Sequence, residues 1–288
     1  MEAGKAERQA MRIITFNVNG IRAMAQKNKA GQRGGVERCG LRELIDVERP
    51  DVLCLQEIKT QSEADIVECV GDEMPYVFMN ACQRKKGYSG VALLSREAPE
   101  WVSCGFELFH ENWIGLYEGW EVDQEGRLLC AKFSEVMVVT VYVPNAQPEL
   151  ARMGERARWD ALLRKYIGAL RTTFRMPVVV CGDMNIAPTD ADIHRKQPRG
   201  TPGASEEERA GFQGFMEDGW VDAYRVLRPL EAGYTYWSNF HQARARGRGW
   251  RIDLFLVSPC LRERLLAAEV LSSYLGSDHA PVLLEVGH

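Results

Sequence analysis

The chain has 288 residues, 45% of them hydrophobic and 26% charged, which is enough for one large or two small globular domains and argues against intrinsic disorder. A formal net charge of −4 supplies no global positive field, so a nucleic-acid partner would have to be met by local basic clusters, such as those in residues 22–38, 152–171 and 244–251. No apolar run reaches the length of a membrane span and no secretory signal is visible, so membrane spanning is excluded.

Residues 1–10 are polar and read as a flexible leader. Residues 12–17 form the first predicted strand, which stops at the polar turn Asn17-Val18-Asn19-Gly20. A glycine- and lysine-rich loop is expected over 26–35, then a helix over 36–47 with Leu41, Leu44, Ile45 and Val47 apolar, ended by Arg49-Pro50. Residues 52–57 read as a buried strand whose apolar run stops at Glu57. A short helix over 62–70, a strand at 76–80, a basic loop at 84–87 and a strand at 90–95 follow.

Two more strands are expected at 128–133 and 136–142, the second ending in Tyr142-Val143-Pro144-Asn145, where proline must break the ladder. The longest helix, 149–174, carries Leu162, Leu163, Tyr166, Ile167 and Leu170 on one stripe, with Arg152, Arg156, Arg164 and Arg171 largely elsewhere. It leads into Val178-Val179-Val180-Cys181, a run suited to a strand covered on both faces, and Gly182 then lets the backbone turn. Asp183 and Asn185 stand two apart, so in extended chain a carboxylate and an amide face the same way; the plainer alternative is an Asx-type turn. An irregular stretch runs to Ser205, a helix covers 206–217, and 237–250 is a loop bearing arginines and aromatics. Residues 252–257 form a strand with Asp253 near its start, and Ser277-Asp278-His279 precedes a final strand at 282–286.

Strands often follow one another directly, which favours mixed sheets packed face to face with helices outside. Neither GxGxxG nor GxxxxGK[ST] occurs, so the dinucleotide and P-loop readings lose their main signature. The eight cysteines include no CxxC pair and several lie in apolar runs, which reads as reduced core thiols in an intracellular protein, cytoplasmic or nuclear according to its source.

Polar residues recur where strands stop: Asn17, Glu57, Tyr142, Asp183, Asn185, Asp253, Asp278 and His279. Should these edges converge, carboxylates and amides with at most one imidazole suit a hard divalent ion, Mg²⁺ or Mn²⁺, better than zinc. Such ions commonly serve phosphoryl chemistry.

Seven collinear motifs between residues 12 and 286 resemble the exonuclease III family of apurinic/apyrimidinic endonucleases. They are NVNGIRA from Asn17, LQE from Leu55, GYSGVA from Gly87, YVPN from Tyr142, GDMN from Gly182, WRID from Trp250 and SDHAP from Ser277. The resemblance implies an α/β fold, a four-layer sandwich of two packed mixed β-sheets flanked by helices, with residues 11–288 as a single catalytic domain. It also implies Mg²⁺-dependent cleavage of duplex DNA 5′ to an abasic residue, with 3′-end trimming and 3′–5′ exonuclease action, by a monomer that works alongside other base-excision-repair proteins.

By the same resemblance, Asn17, Glu57, Asp183, Asn185, Asp278 and His279 surround the metal, and Tyr142, Asp183, Asn185, Asp253 and His279 carry the chemistry. DNA would be held by Asn19, Arg22, Lys59, Arg84, Lys85, Tyr88 and Asn145, with an abasic pocket at Tyr236, Trp250 and Ile252. The sequence departs from the pattern in several places. Residues 23–36 are longer and more basic than usual, Phe16 replaces a frequent tryptophan and Tyr236 a frequent phenylalanine. Asn19 stands where some relatives have an acid, and Gln147-Pro148 where some have an arginine that enters the DNA. The rival readings are a non-specific nuclease or phosphatase of the superfamily, a 3′–5′ exonuclease with little abasic preference, and a nucleic-acid-binding scaffold without chemistry.

Overall fold

The structure, a computed structural model, describes residues 10–31, 38–109, 122–195, 197–198 and 200–288. Two six-stranded sheets form its centre. The first has the order β12-β14-β1-β3-β5-β4, made of β1 (Ala10–Asn17), β3 (Val52–Gln56), β4 (Tyr76–Asn80), β5 (Val91–Ser95), β12 (Leu265–Val270) and β14 (Val282–Gly287). The second has the order β10-β11-β9-β8-β7-β6, made of β6 (Trp101–Cys104), β7 (Leu128–Lys132), β8 (Met137–Tyr142), β9 (Val178–Asp183), β10 (Val221–Asp222) and β11 (Asp253–Val257). A two-stranded parallel pair, β2 (Arg38–Cys39) with β13 (Tyr274–Leu275), stands apart.

Strand periodicity explains the stacking. Successive side chains point to opposite faces, so a strand apolar at every position can seal two interfaces at once. In β9, Val179 and Cys181 enter the core between the sheets while Val178 and Val180 face helices α4 (Met153–Phe174) and α5 (Glu206–Glu217). In β3, Val52 and Cys54 likewise join the inter-sheet core. Leu53 and Leu55 instead pack on α1 (Ile21–Gly31), α2 (Leu41–Glu48) and α3 (Glu63–Val70). The result is the helix, sheet, sheet, helix layering that the sequence implies.

Each sheet contains one parallel pair, β1 with β3 and β8 with β9, among antiparallel neighbours. Helices α1 and α2 make the first crossover and α4 the second. Both pairs therefore end together, and loops after the carboxyl ends of parallel strands are where α/β sheets leave a crevice.

Several expectations need correction. Residues 26–31, expected as loop, continue helix α1, whose Ile21 and Met24 are buried; residues 32–37 lie outside the described part. The helix expected from 36 begins only at Leu41, because Gly40 has φ 98° and separates it from β2. Residues 1–9 of the leader also lie outside the described part, and Ala10 already belongs to β1. The long helix starts at Met153, after a single 3₁₀ turn at Pro148–Leu150. Strands β6, β10, β12 and β13 and the short helix α6 (Ala223–Leu227) were not anticipated. None of the described helices is long and apolar enough to cross a membrane.

Candidate active site

Asn17 closes β1, Glu57 follows β3, Tyr142 closes β8 and Asp183 closes β9, so four polar side chains sit at the carboxyl ends of the two parallel pairs. Register fixes their neighbours: Asn17 lies opposite Gln56, Tyr142 opposite Asp183, and Asp253, the first residue of β11, opposite Asp183 on the other side. The turns that follow are tight. Glu57, Asn19 and Asn185 have φ of 52°, 48° and 48°, a left-handed backbone that non-glycine residues adopt at some cost and that clusters at functional sites.

A single amide holds two carboxylates together. Asn17 Nδ2 donates to Glu57 Oε1 and to Asp183 Oδ2, both at 2.9 Å, while its Oδ1 accepts the Asn19 backbone N–H at 3.0 Å. Lys59 Nζ lies 2.8 Å from Glu57 Oε2 and 2.5 Å from Asn19 Oδ1, and Asn19 Nδ2 donates to Asp278 Oδ1 at 2.9 Å. His279 Nδ1 is 2.8 Å from Asp253 Oδ2, and its Nε2 is turned toward Asp183 Oδ2 at 3.9 Å. The Ser277 hydroxyl donates to the Asn17 carbonyl at 2.7 Å and ties the His279 loop to the end of β1.

Electrostatics follow from this crowding. Burial, followed by the charge of Asp253, raises the Asp183 carboxyl to about 7, against the pull of His279 and of the Asn185 N–H. Burial works to lower the His279 imidazolium, but Asp253, then Asp183 and Asp278, outweigh it and raise it to about 10. Burial also opposes ionisation of Glu57, yet the Asn17 and Lys59 hydrogen bonds prevail and hold it below the usual carboxylate range. The Tyr142 phenol is raised by burial and then by the Glu57 charge, which keeps it a hydrogen-bond donor.

Glu57, Asp183 and His279 offer one ligand atom each within 4.8 Å of one another, a donor set that fits a divalent cation. The other residues expected around a metal are placed differently. Asn17 presents its amide nitrogen to the carboxylates, not its oxygen. Asn185 Oδ1 accepts from Asn145 Nδ2 at 2.9 Å and its Nδ2 donates to the Val143 carbonyl at 2.8 Å, so its side chain braces the Tyr142 turn. Asp278 lies beyond Asn19, where its carboxylate also meets Asn239.

Of the residues expected to touch DNA or an abasic sugar, Tyr236 has its ring 4.9 Å from that of His279. It forms a small apolar cluster with Trp250, Ile252, Ile193, Ala187 and Ala204, apart from the main cores. Arg84 and Lys85 are exposed beside half-buried Tyr88, whose hydroxyl meets Arg127 at 3.0 Å; Arg127 also donates to the Tyr142 carbonyl at 2.9 Å and lies 4.6 Å from that ring. Arg22 stands away from this group on α1, exposed, with Asp65 3.9 Å from its guanidinium. A cavity of about 690 Å³ lined by Tyr224, Tyr234, Trp237 and Arg244 includes none of the carboxylate-cluster residues.

The sequence reading missed two buried arginines that support the site. Arg127 was not singled out. Arg156, assigned off the apolar stripe of α4, lies on it, with Nη2 donating to the Met184 carbonyl at 2.9 Å and Nη1 to those of Asn185 and Pro144 at 3.1 and 3.2 Å. The signal was present, since Arg156 shares helical spacing with buried Trp159, Leu163, Tyr166 and Leu170.

The described geometry has counterparts among known proteins. Residues 14–279 match the family described as Endonuclease/Exonuclease/phosphatase. The chain is 37% identical over 279 residues to the DNA repair nuclease APEX1 of Danio rerio, covering 95% of this chain and 81% of that protein. It is 38% identical over 277 residues to an exodeoxyribonuclease of Bacillus subtilis, covering 95% and 98% of the two. The crystal structure of the AP endonuclease LMAP from Leishmania major superposes with a TM-score of 0.81 at 28% identity, covering 97% of this chain and 88% of that one.

Proposed function

The chain belongs to the endonuclease/exonuclease/phosphatase family, and from that membership we infer a DNA-repair nuclease that cuts duplex DNA 5′ to abasic sites, using magnesium, with 3′–5′ exonuclease action at the same centre. The observation that carries the reading is the meeting of Glu57, Asp183 and His279 within 4.8 Å, beside the apolar cluster of Tyr236, Trp250 and Ile252. The carboxylates of Glu57 and Asp183 suit a hard ion that keeps part of its water shell, while the imidazole beside them, bound through Nδ1 to Asp253, keeps Nε2 for the phosphate. Once bound, such an ion supplies positive charge to the phosphate oxygens as negative charge grows on them.

The remaining work falls to the chain. Asp183, aimed at the cluster, takes the proton of the attacking water as the water oxygen bonds to phosphorus, and the P–O3′ bond breaks with solvent returning a proton to the leaving 3′-oxygen. His279, held at Nδ1 by Asp253, donates from Nε2 to a phosphate oxygen and stabilises the pentacoordinate state. Tyr142 keeps its proton and donates it in a hydrogen bond to the phosphate. Asn145 and Asn185, linked to each other, hold the two strand-end turns in register. Arg84, Lys85 and Tyr88 grip the backbone without reading sequence. The apolar cluster admits a sugar that lacks a base, and an unpaired sugar leaves the stack at lower cost than an intact nucleotide.

The test compares a duplex carrying a tetrahydrofuran abasic analogue with an undamaged duplex, each with Mg²⁺ and with chelator, for wild type and Glu57→Gln. A metal-dependent nick 5′ to the analogue, absent from the undamaged duplex and lost in the variant, is expected. Equal cutting of both duplexes would overturn the abasic assignment, and full activity of the variant would overturn the site.

A further inference from the structure

Arg251 stands between two residues assigned above to the pocket wall, Trp250 and Ile252, yet it is only 1% exposed and points away from solvent into a buried ion network. Its Nε donates to Asp192 Oδ1 at 2.6 Å, and its two terminal nitrogens donate to Asp222 Oδ1 and Oδ2 at 3.0 and 2.7 Å. Asp192, fully buried, also accepts from Arg225 Nη2 at 2.5 Å and from the Thr189 N–H and hydroxyl at 2.9 and 2.7 Å. The Arg251 N–H reaches the Asp192 carbonyl at 2.8 Å. Asp222 caps α6 through the Arg225 N–H at 3.2 Å. Three otherwise separate pieces are thereby joined: the irregular 189–193 stretch, the 249–252 segment and the β10–α6 corner.

The joined pieces carry the pocket. Isolated bridges run from Ile193 to Trp250, from Trp250 to Tyr236 and from Tyr236 to His279, a hydrogen-bonded ribbon that ends at the His279 backbone. The apolar cluster on this ribbon has only Ala187, Ile193 and Ile252 fully buried, with Tyr236, Trp250 and Ala204 partly so, and it belongs to none of the three large cores. So few apolar contacts do not make a wall stiff, since resistance to expansion comes from close packing on all sides. The ions supply what packing does not, because moving either side of the network strands a buried charge.

Resting on the abasic-site reading, we propose that the Asp192–Arg251–Asp222 network is the specificity-determining support of the pocket, fixing the Trp250 wall so that a bare sugar is favoured over a nucleotide that still carries its base. None of the three touches the cluster of Glu57, Asp183 and His279; they act through Trp250, Ile193 and Ile252. A looser wall admits the larger nucleotide and holds the abasic sugar less firmly, so the ratio of the two reactions changes.

The experiment measures kcat/KM for two duplexes that differ at one position, a tetrahydrofuran analogue against an intact nucleotide in a mismatch, where unpairing costs little. Wild type, Arg251→Met and Asp192→Asn are compared, each with its folded fraction fixed by thermal unfolding. The expected result is a fall of about tenfold in the preference for the analogue, with KM for the analogue raised. Loss of folded enzyme scales both reactions together and leaves their ratio unchanged, so a purely stabilising network predicts the wild-type ratio in every variant, and that result overturns the proposal. Should Arg251→Met fail to fold, Asp192→Asn, which keeps the shape of the carboxylate, decides alone. Failure of wild type to prefer the analogue would instead condemn the abasic-site reading itself.

Discussion

The Asp253 carboxylate has one job visible in the structure, to receive the His279 Nδ1 at 2.8 Å, and its other oxygen, Oδ1, is buried without a hydrogen-bond partner among the described residues. Keeping a carboxylate there is costly, and what the site gains is an imidazole fixed in tautomer and direction, with its charge supported. Asp253→Asn keeps the size but removes the charge and permits the wrong tautomer. We expect kcat to fall by roughly 10²- to 10⁴-fold with KM little changed, measured by steady-state incision; a loss below about threefold would mean that His279 is oriented by something else. That Asp253 and His279 share a site was legible through the WRID and SDHAP motifs and their resemblance to the exonuclease III family, one residue opening β11 and the other standing just before β14. The partner of Lys59 was not. It was assigned to DNA, and it reaches Glu57 because its own backbone, at φ 53°, turns the side chain back across the strand end, a conformation that spacing alone does not reveal.

Gly182 shows how an element sets its site. It lies in β9 next to Asp183 with φ 142°, and a Cβ placed there would stand 1.9 Å from the Val141 carbonyl oxygen of the neighbouring parallel strand. Alanine would have to push β8 and β9 apart at the point where Tyr142 and Asp183 face each other. Gly182→Ala should cost at least about 2 kcal/mol, from the overlap and the left-handed backbone together, and should lower metal-dependent incision more than the lost folded fraction explains. Thermal unfolding alongside specific activity separates the two; unchanged activity in the folded fraction would show that the strands do not need this spacing.

The central strands were readable because nearly all their positions are buried and most are apolar, whereas β12 was overlooked because it is an edge. Its burial alternates irregularly, a shift of register falls between Leu265 and Ala267, and Leu-Leu-Ala-Ala-Glu has helical composition. Tertiary pairing with β14 overrode that local preference. Strand β6 was missed for a related reason, being a short run at the edge of the other sheet with only partial burial.

Across the whole molecule, three buried arginines tie loops to the site-bearing ends of the sheets, Arg127 with Glu125, Arg156 with Asp160 and Glu208, and Arg251 with Asp192 and Asp222. Their acidic partners do not respond alike to pH. Asp160 is raised by burial more than Arg156 lowers it, so its ionisation weakens the fold as pH rises through its folded pKa. Asp192 is the reverse: burial opposes its charge, but Arg251, Thr189 and Arg225 prevail and depress its pKa. A depressed carboxylate contributes stability that is fully present above its unfolded pKa of about 3.9 and disappears as pH falls through the folded value. Asp192→Asn, which cannot titrate, should therefore be less stable than wild type by about 3 kcal/mol near pH 7. That deficit should shrink steadily below about pH 4, because only wild type loses the ion pair there. Urea unfolding of both proteins from pH 7 down to about 3 measures it, and a constant gap across that window would mean that Asp192 stabilises the molecule by shape and neutral hydrogen bonding rather than by charge.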